Sequence, residues 1–508
     1  MRWLAAMMAM LLALPAAAQP VHAPGARTET GMVGGKRQGN VSAFLGIPFA
    51  ASTGGANRWR APQPAARWAG IRDATRFAAD CQQDIVPHRG AIGPWTWEYL
   101  AQGPAGEDCL FVNIWTPDAP PGARLPVLVW IYGGGFTSGS GAVPLYDGAA
   151  LAARGIVVVS INYRVGVYGL LAHPELTREA GASGNYALLD QIAGLEWVRR
   201  NIAGFGGDPG QVTIAGQSAG AASVHALLAA PRARGLFHRA IAQSGSGMGN
   251  DFPPLAAAEA QGTRFADAAG AKSLADLRAL TPAQVTAAAQ GMRFGLTGGT
   301  PLLPGTAGTS GIPVLTGLTA DEGSAIGGDY AIDSEAAIRA TLDRRYGASA
   351  AAFVPLYPAT DPATAAQSAR LMSRERGIAA MLAWARARRP GAAPVFAYLY
   401  THAEPGSAPQ YRAFHSAELA YVFGTLDVTP ERGFTAQDRA IAGQMGDYWA
   451  NFVRTGDPNS AGAPLWPRLE SGRIMALGDR FAPMVPLRPE ARAAFDAYAA
   501  SGGRLTLF

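Results

Sequence analysis

The stretch that most constrains this chain is Gln211–Gly220. Val212 to Ile214 is a short β-branched run typical of a buried strand, and it leads into Gly-Gln-Ser-Ala-Gly with Ser218 at the centre. The alanine-rich segment that follows favours a helix. A strand that turns sharply at a serine between small residues and then enters a helix is the nucleophile-elbow arrangement. Glycines suit it because Cβ atoms beside the serine would clash in so tight a turn. The stretch therefore predicts a reactive serine at a helix N-terminus, where free amides favour a developing negative charge.

Because the chain is rich in glycine, this motif needs support from its surroundings. Apolar strand-like runs alternate with helical patterns through the middle of the chain. Strands are predicted at 40–49, 109–115, 125–132, 155–163, 212–214, 240–243, 313–317 and 393–400. Helices are predicted at 186–202, within 255–290, and at 334–346, 366–388 and 436–454. This alternation predicts an α/β fold with a mostly parallel central sheet and helices on both faces. No internal repeat or clean linker interrupts it, so we expect a single large domain.

The first residues have the features of a secretory leader. Met1 and Arg2 precede the apolar run Trp3–Leu14, and small residues end at Ala18. The run is too short to span a bilayer, which argues against the alternative of a membrane anchor. We expect cleavage after Ala18, so that residues 1–18 are the signal peptide and 19–508 the catalytic domain. The mature protein is then secreted or periplasmic, without a membrane span.

The cysteine content agrees with export. Cys81 and Cys109 are the two cysteines of the chain, and an even number in an exported protein predicts one disulfide. The alternative is a pair of buried thiols.

Charge and composition exclude several classes of function. The net charge is +5, and the arginines that carry most of the positive charge are scattered rather than grouped. A nucleic-acid partner is therefore not expected. No group of histidine, cysteine and carboxylate residues has the spacing of metal ligands, so we expect neither a metal nor an organic cofactor. The expected partner is a small-molecule ester, and the chain is expected to be a monomer or homodimer.

A serine nucleophile needs donors for the oxyanion, a base and an acid that orients the base. The strand at 125–132 ends in Gly133-Gly134-Gly135, where amides can point inward without side chains in the way. We expect the amides of Gly134, Gly135 and Ala219 to form the oxyanion hole. A flexible turn is the alternative. A phosphate-binding loop is excluded because its lysine is missing.

Topology narrows the base to two of the seven histidines. In this arrangement the residues follow the order serine, acid, histidine, and they lie at the carboxyl ends of the strands. His402, at the end of a predicted strand, and His415, in the loop after it, both satisfy these conditions. For the acid, Asp321 and Glu322 both follow the strand at 313–317. The residues alone leave each pair open.

A resemblance to a known family carries the assignment further. The matching segments are Glu107–Pro117, Trp130–Phe136, Asn162–Gly166, Gly184–Gln191, Phe205–Pro209, the elbow, Gln243–Ser246, Ala320–Ser324 and His415–Gly424. Together they span nearly the whole mature chain in one order, and in them the chain resembles type-B carboxylesterases of the carboxylesterase/cholinesterase family, within the α/β-hydrolase superfamily.

The resemblance implies a role for specific residues. It selects Glu322 as the acid and His415 as the base, and it places the hydroxyl of Ser244 beside the triad. It also implies the disulfide Cys81–Cys109. Structural ion pairs are implied between Arg58 and Glu107 and between Arg164 and Asp190.

The chain also departs from the family pattern. Cholinesterases usually carry glutamate before the nucleophile, where this chain has Gln217, so choline esters are expected to be poor substrates. The segment from Leu255 to Gly317 is shorter than in animal relatives, and Phe252 is a candidate for the acyl pocket, although a core role is equally consistent. Trp95 and Trp97 are candidates for the alcohol-side entrance, with surface packing as the alternative. The glycine-rich oxyanion loop resembles that of esterases that accept bulky alcohol esters.

The resulting prediction is an exported serine carboxylesterase that acts through an acyl-enzyme. Two alternatives remain on the same fold. One is a hydrolase of another acyl bond, such as a carbamate, amide or thioester, because the same site permits that chemistry. The other is a non-catalytic cholinesterase-like binding protein, but such proteins typically lack a member of the triad.

Overall fold

The structure is a computed structural model, and it describes residues 24–85, 90–120, 122–245, 252–305, 311–388, 391 and 393–507. The predicted signal peptide lies outside the described residues, as does Ser246 of the matched segments.

One large sheet forms the centre of the described part of the chain. Its strands are β1 (Lys36–Gln38), β2 (Val41–Pro48), β3 (Phe111–Pro117), β4 (Leu125–Ile131), β5 (Val157–Ile161), β6 (Gly207–Gln217), β7 (Arg239–Gln243), β8 (Val314–Thr319), β9 (Val395–Tyr400), β10 (Ile474–Leu477) and β11 (Ala482–Met484). Their order is β11-β10-β9-β8-β7-β6-β4-β5-β3-β2-β1. The run from β10 to β5 is parallel, and the antiparallel pairs lie at the two ends. The predicted mostly parallel sheet is therefore confirmed.

Helices pack around this sheet. They are α1 (Ala149–Ala152), α2 (Gly166–Leu170), α3 (Pro174–Ala180), α4 (Tyr186–Asn201), α5 (Ala219–Ala229), α6 (Leu255–Ala268), α7 (Leu274–Ala279), α8 (Pro282–Ala288), α9 (Gly323–Ile326), α10 (Glu335–Tyr346), α11 (Pro362–Arg386), α12 (Leu419–Phe423), α13 (Ala436–Thr455) and α14 (Pro489–Ala500). Every residue of β5, β8 and β9 is buried, as expected for strands covered on both faces. The chain forms one domain of α/β-hydrolase type.

The order of the strands creates the position for a site. β4 lies between β5 and β6, so the connections that leave β4 and β6 turn to opposite sides of the sheet. Such a reversal opens a crevice at the carboxyl ends of the strands, where α/β proteins bind ligands. The glycine run 133–135 follows β4 and Ser218 follows β6, so both border this crevice.

The structure differs from the sequence prediction mainly where elements are short. Residues 255–290 form three helices, and β10, β11 and α14 lie after residue 454, where no strand or helix was predicted. β10 and β11 are too short to show a hydrophobic period; β10 is held by pairing with β9, and β11 by pairing with β10. Trp197 of α4 is buried against Phe205.

The cross-links expected from the family pattern are present. Cys81 and Cys109 form a disulfide, which confirms that prediction. Arg58 donates to Glu107 at 2.6 Å, and Arg164 binds Asp190 at 2.7 Å in a fully buried pair. Within the described residues, no helix has both the length and the apolar character that a membrane crossing requires.

Candidate active site

The elbow at Ser218 has the strained geometry that its sequence suggests. Ser218 has φ 58° and ψ −123°, a conformation rare for residues with a side chain. A Cβ on Gly216 would lie 2.5 Å from the backbone of Gly220, and one on Gly220 would lie 2.0 Å from the carbonyl oxygen of Ile131. One on Gly133 would lie 3.0 Å from the Cβ of Ser218. Close packing against the neighbouring strand end therefore demands glycine on both sides of the serine and at the start of the glycine run.

Two carboxylates follow β8, and they point to different partners. The Glu322 carboxylate binds Nδ1 of His415 through Oε2. The Asp321 carboxylate accepts hydrogen bonds from Tyr330 Oη at 2.6 Å and from the amide of Ala413 at 3.3 Å. Asp321 thereby ties the β8 loop to the loop that carries His415, and Glu322 is the carboxylate on the imidazole.

The two candidate histidines also differ in their partners. Both ring nitrogens of His402 bind carboxylates, Nδ1 to Asp479 at 2.7 Å and Nε2 to Asp438 at 2.8 Å. His415 binds one carboxylate, Glu322, and its Nε2 lies 3.0 Å from the side-chain amide of Gln217, next to Ser218 in the chain. The structure thus brings His415 to the elbow and holds His402 elsewhere.

Glu322 is itself held in place by two donors to its second oxygen. The hydroxyl of Ser244 donates to Oε1 at 2.5 Å, and the amide of Thr319 donates to the same atom at 2.8 Å. Ser244 has φ 55°, a second strained serine beside the site. These two hydrogen bonds fix the orientation of the Glu322 carboxylate toward His415.

Gln217 places a neutral amide beside the base. Its side chain is buried, and with Nδ1–H of His415 donated to Glu322 the Nε2 lone pair accepts from the Gln217 NH₂ group. This is the tautomer that a general base requires, since the lone pair then lies on the side of the elbow.

The amides of Gly134, Gly135 and Ala219 have no acceptor among the described residues. Gly134 and Gly135 have φ of 109° and 62° and are exposed at the end of β4, and Ala219 begins α5 directly after the nucleophile. A Cβ on Gly134 would lie 2.2 Å from the carbonyl oxygen of Ser138, so this turn requires glycine. Free amides at these two strand ends are suitable donors for an oxyanion.

A further buried carboxyl group lies near the triad. Glu418 is fully buried, and its Oε1 accepts from the side-chain amide of Gln243 at 3.1 Å. Burial raises the pKa of Glu418 to about 7, and the negative charge of Glu322 contributes to the same shift. Near neutral pH this group therefore carries a proton for much of the time. No local sequence signal identifies Glu418, although it follows His415 by three residues.

The aromatic candidates occupy different places. The indole Nε1 of Trp95 donates to the backbone carbonyl of His415 at 3.1 Å, and its ring meets the imidazole edge-on at 6.4 Å. Trp97 contacts Glu431 through its indole nitrogen at 3.4 Å. Phe252 is half-buried, and its Cβ would come within 3.1 Å of a Cβ added to Gly298. The Trp95 contact with the base loop joins residues far apart in the chain, and no local sequence signal indicates it.

No group of histidine, cysteine and carboxylate residues in the described ranges is arranged to hold a metal ion. The arrangement consists of a strained serine, an imidazole oriented by a carboxylate, and free amides at two strand ends. Chemically, this combination suits nucleophilic attack on an acyl carbon.

Comparison with known proteins supports this chemistry at the level of the whole chain. Residues 22–488 match the carboxylesterase family. The chain is 38% identical to fumonisin B1 esterase of Sphingopyxis macrogoltabida over 92% of its own length and 89% of that protein. It is 34% identical to para-nitrobenzyl esterase of Bacillus subtilis, over 87% and 91% of the two chains. Carboxylesterase 4A of Bos taurus is 32% identical over 92% and 94%.

The solved structures agree with the sequence comparison. A PNB esterase structure superposes with a TM-score of 0.80 at 32% identity, covering 94% of this chain and 99% of that chain. Both the family match and the relatives extend over most of the chain, so they cover the sheet, the elbow and the loops around it. This protein belongs to the carboxylesterase family and is a carboxylesterase of the α/β-hydrolase fold.

Proposed function

We propose that this carboxylesterase hydrolyses its ester through an acyl-enzyme on Ser218, with His415 as general base and acid and Glu322 as the acid of the triad. The observation that carries the proposal is the chain of contacts from Ser244 through Glu322 to His415, which ends at the elbow. Ser244 binds Glu322, Glu322 binds His415, and His415 contacts Gln217, the residue before the strained Ser218.

In the first half-reaction, Oγ of Ser218 attacks the ester carbonyl carbon while Nε2 of His415 takes its proton. The imidazolium that forms is stabilised by the Glu322 carboxylate on Nδ1. Collapse of the tetrahedral intermediate breaks the bond to the alcohol oxygen, which receives the proton from His415. In the second half-reaction water replaces the alcohol, and the same groups release the acid and free Ser218.

The negative charge of each tetrahedral intermediate falls on the former carbonyl oxygen. The amides of Gly134, Gly135 and Ala219 are assigned to this oxygen, because they are free donors at the ends of β4 and β6. Loss of one such donor typically costs about 10²- to 10³-fold in kcat.

The test uses the chain from residue 19 and p-nitrophenyl esters with acyl chains from acetate to decanoate. Wild type is expected to hydrolyse the shorter esters, whereas Ser218→Ala should be inactive while its unfolding temperature stays close to that of wild type. A phosphonate ester should label wild type at Ser218, located by peptide mass spectrometry, and should leave the variant unlabelled. Hydrolysis by Ser218→Ala at the wild-type rate would contradict the proposal.

Gln217 and the names of the related esterases indicate which esters to assay first. A neutral amide beside the base offers no anionic partner for a quaternary ammonium group, so choline esters are expected to react more slowly than uncharged esters of equal acyl length. Relatives are named for the esters of fumonisin B1 and of p-nitrobenzyl alcohol. Both ester types are therefore the first to assay, and faster turnover of acetylcholine than of p-nitrobenzyl acetate would contradict this preference.

We also propose that the protein is exported after cleavage behind Ala18. The disulfide Cys81–Cys109 suits an oxidising compartment. Expression with the leader in a bacterium with an outer membrane should give a protein outside the cytoplasm whose N-terminal peptide begins at Gln19. Retention of residues 1–18 in the exported protein would contradict the cleavage site.

A further inference from the structure

A second group of buried charges lies beside the loop that carries His415. Arg432, Glu98 and Glu404 are all buried, and Arg432 stands between the two carboxyl groups. Its Nε donates to Glu98 at 2.7 Å, and its Nη1 lies 3.4 Å from Glu404. We call these three residues the arginine clamp.

The side chains of the arginine clamp bind several groups of the segment Pro94–Tyr99. Arg432 Nη2 donates to the hydroxyl of Thr96 at 2.7 Å and to the carbonyl of Pro94 at 3.2 Å. The guanidinium group lies 5.4 Å from the centre of the Tyr99 ring, and the Tyr99 hydroxyl donates to Glu404 at 2.9 Å. Nearly all the groups that Arg432 contacts thus belong to this one segment, which itself lies inside the loop closed by the disulfide.

The same segment touches the loop of the base at two points. Trp95 donates its indole N–H to the carbonyl of His415 at 3.1 Å and packs edge-on against the imidazole. The Tyr99 ring lies 5.9 Å from the ring of Phe414, the residue before His415. Arg432 is therefore linked to His415 through the segment Pro94–Tyr99.

The loop around His415 needs such support because its backbone is strained on both sides. Arg412 has φ 52° and Ser416 has φ 83°, values that cost free energy for residues with a side chain. A strained loop persists only when its surroundings hold it in place. The hydrogen bond from Trp95 to the carbonyl of His415 is one of these contacts, and it acts directly on the residue whose ring must stay aligned.

Stability alone does not account for the clamp. Buried ion pairs are commonly no more stabilising than apolar side chains of the same volume, because desolvation offsets their attraction. Burial also raises the pKa of Glu404 to about 8 in spite of Arg432. At neutral pH Glu404 is then mostly protonated, and Asp438 is a further acidic neighbour of this group.

We propose that Arg432 is a positioning residue for the catalytic base: it holds the segment Pro94–Tyr99 so that Trp95 keeps the backbone of His415 in its reactive place. The inference rests on the proposed role of His415. Arg432 touches no reacting group, and its effect passes through Trp95.

Two variants test the two ends of this link. Arg432→Lys keeps the charge but has a single nitrogen, which cannot hold Glu98, Thr96 and Pro94 together. Trp95→Phe keeps an aromatic ring and removes the N–H. Both should lower kcat for a p-nitrophenyl ester, by about 10- to 100-fold for Arg432→Lys and less for Trp95→Phe, because small displacements of a catalytic group are costly. KM should change by less than about threefold, since the substrate contacts remain.

The chain offers a matched control for each variant. Arg488 binds the buried Glu375 at 2.8 Å and lies 5.9 Å from the ring of Tyr357, so it repeats the arginine–glutamate–tyrosine contact away from the triad. Trp68 donates its indole N–H to the carbonyl of Met32 at 2.7 Å, in the three-stranded sheet formed by Gly25–Arg27, Met32–Gly34 and Ile71–Asp73. Arg488→Lys and Trp68→Phe should lower the unfolding temperature by amounts comparable to the test variants while kcat stays within about twofold of wild type.

The double variant Arg432→Lys/Trp95→Phe decides whether the two residues act as one unit. Its loss in kcat should equal that of Arg432→Lys alone, because both changes break the same link. Losses that multiply, or a kcat of Arg432→Lys no lower than that of Arg488→Lys, would overturn the proposal. If Arg432→Lys does not fold, an unchanged kcat in Trp95→Phe would overturn it. Activity of Ser218→Ala or His415→Gln at the wild-type rate would instead refute the proposed function.

Discussion

The region of His415 and the region of His402 contain the same chemical groups in different arrangements. Each has an imidazole with two acidic side chains nearby, and both follow β9. At His402 both carboxylates bind the ring, one at each nitrogen. At His415 one carboxylate, Glu322, binds the ring, while the second acidic group, Glu418, lies apart from it and binds Gln243.

This difference supports the proposal that His415, rather than His402, is the catalytic histidine. An imidazole held at both nitrogens has no lone pair or site left for a substrate proton, and its two partners fix the positions of the elements that carry them. At His415 the carboxylate binds Nδ1 and orients the ring, while Nε2 faces the neutral amide of Gln217 at the elbow, on the side where a general base takes its proton. The comparison therefore predicts opposite results for matched substitutions in the two regions.

The largest expected difference comes from replacing the histidines themselves. His415→Gln should lower kcat by about 10⁴- to 10⁶-fold, because the base that activates Ser218 is lost. His402→Gln should leave kcat within about twofold and lower the unfolding temperature, because the links to Asp438 and Asp479 weaken. Steady-state kinetics with a p-nitrophenyl ester and thermal unfolding measure both. If the two variants lost activity equally, the division between the regions would be wrong.

Substitutions of the carboxylates that bind the two histidines should show the same contrast in kcat, with a smaller loss than the histidine substitutions. Glu322→Gln should cost about 10⁴-fold in kcat, since an amide can favour the wrong tautomer of His415 and cannot stabilise the imidazolium. Asp438→Asn makes the matching change beside His402. It should lower the unfolding temperature and leave kcat unchanged. The pair of kcat values checks this, and a kcat for Glu322→Gln close to that of wild type would exclude Glu322 as the acid.

The hydroxyl groups that donate hydrogen bonds to Glu322 and to Asp438 should also differ in their effect on kcat. Ser244→Ala removes one of the two donors to Oε1 of Glu322 and leaves the amide of Thr319. We expect a loss of about tenfold in kcat, in keeping with a hydrogen bond to a charged group. Tyr421→Phe removes the hydroxyl that binds Asp438 at 2.6 Å and is the control, with an unchanged kcat.

The pH dependence of stability should have opposite signs in the two regions. The folded pKa of Glu418 is raised from 4.5 to about 7, mainly by burial. The contribution of Glu418 to the free energy of unfolding is therefore full below pH 4.5 and is lost as the pH rises to 7. The loss is at most about 3 kcal/mol. Glu418→Gln should remove this decline, as chemical denaturation between pH 4.5 and 8 would show. A wild-type slope that persists in the variant would contradict the assignment.

The pH dependence of stability that Asp438 causes is smaller and occurs at acidic pH. Burial alone would raise its pKa, but hydrogen bonds from Thr435, Tyr421 and His402 outweigh burial and lower the pKa from 3.8 to about 2. Its contribution is present above pH 3.8 and is lost as the pH falls toward 2, about 2 kcal/mol at most. Unfolding of Asp438→Asn should be less sensitive to pH in that window than unfolding of wild type. An equal sensitivity would contradict this.

Some of the site follows from local sequence. The elbow could be predicted because a strand, a glycine-flanked serine and a helix are adjacent in the chain, and clashes of 2.0 and 2.5 Å explain why glycine is needed at 220 and 216. The mostly parallel sheet could be predicted because buried strands show as continuous apolar runs. β10 and β11 could not, since elements of this length depend on the strand beside them rather than on their own pattern.

Other parts were predicted only through the family resemblance. Residue chemistry left Asp321 and Glu322 equivalent, as it did His402 and His415. The structure supplies a physical reason for each choice, because Tyr330 and Ala413 occupy the carboxylate of Asp321 and two aspartates occupy His402. These partners come from distant segments, so spacing along the chain carries no information about them.

The sequence by itself therefore determined the sharp turn at Ser218 and the class of fold, since each depends on neighbouring residues and on hydrophobic period. The tertiary structure decided which acid meets which imidazole, which carboxyl group keeps its proton at neutral pH, and how Arg432 reaches His415 through Trp95. Those outcomes depend on burial and on contacts between residues far apart in the chain, by 93 positions for Glu322 and His415 and 320 for Trp95 and His415, and both arise only when the chain is folded.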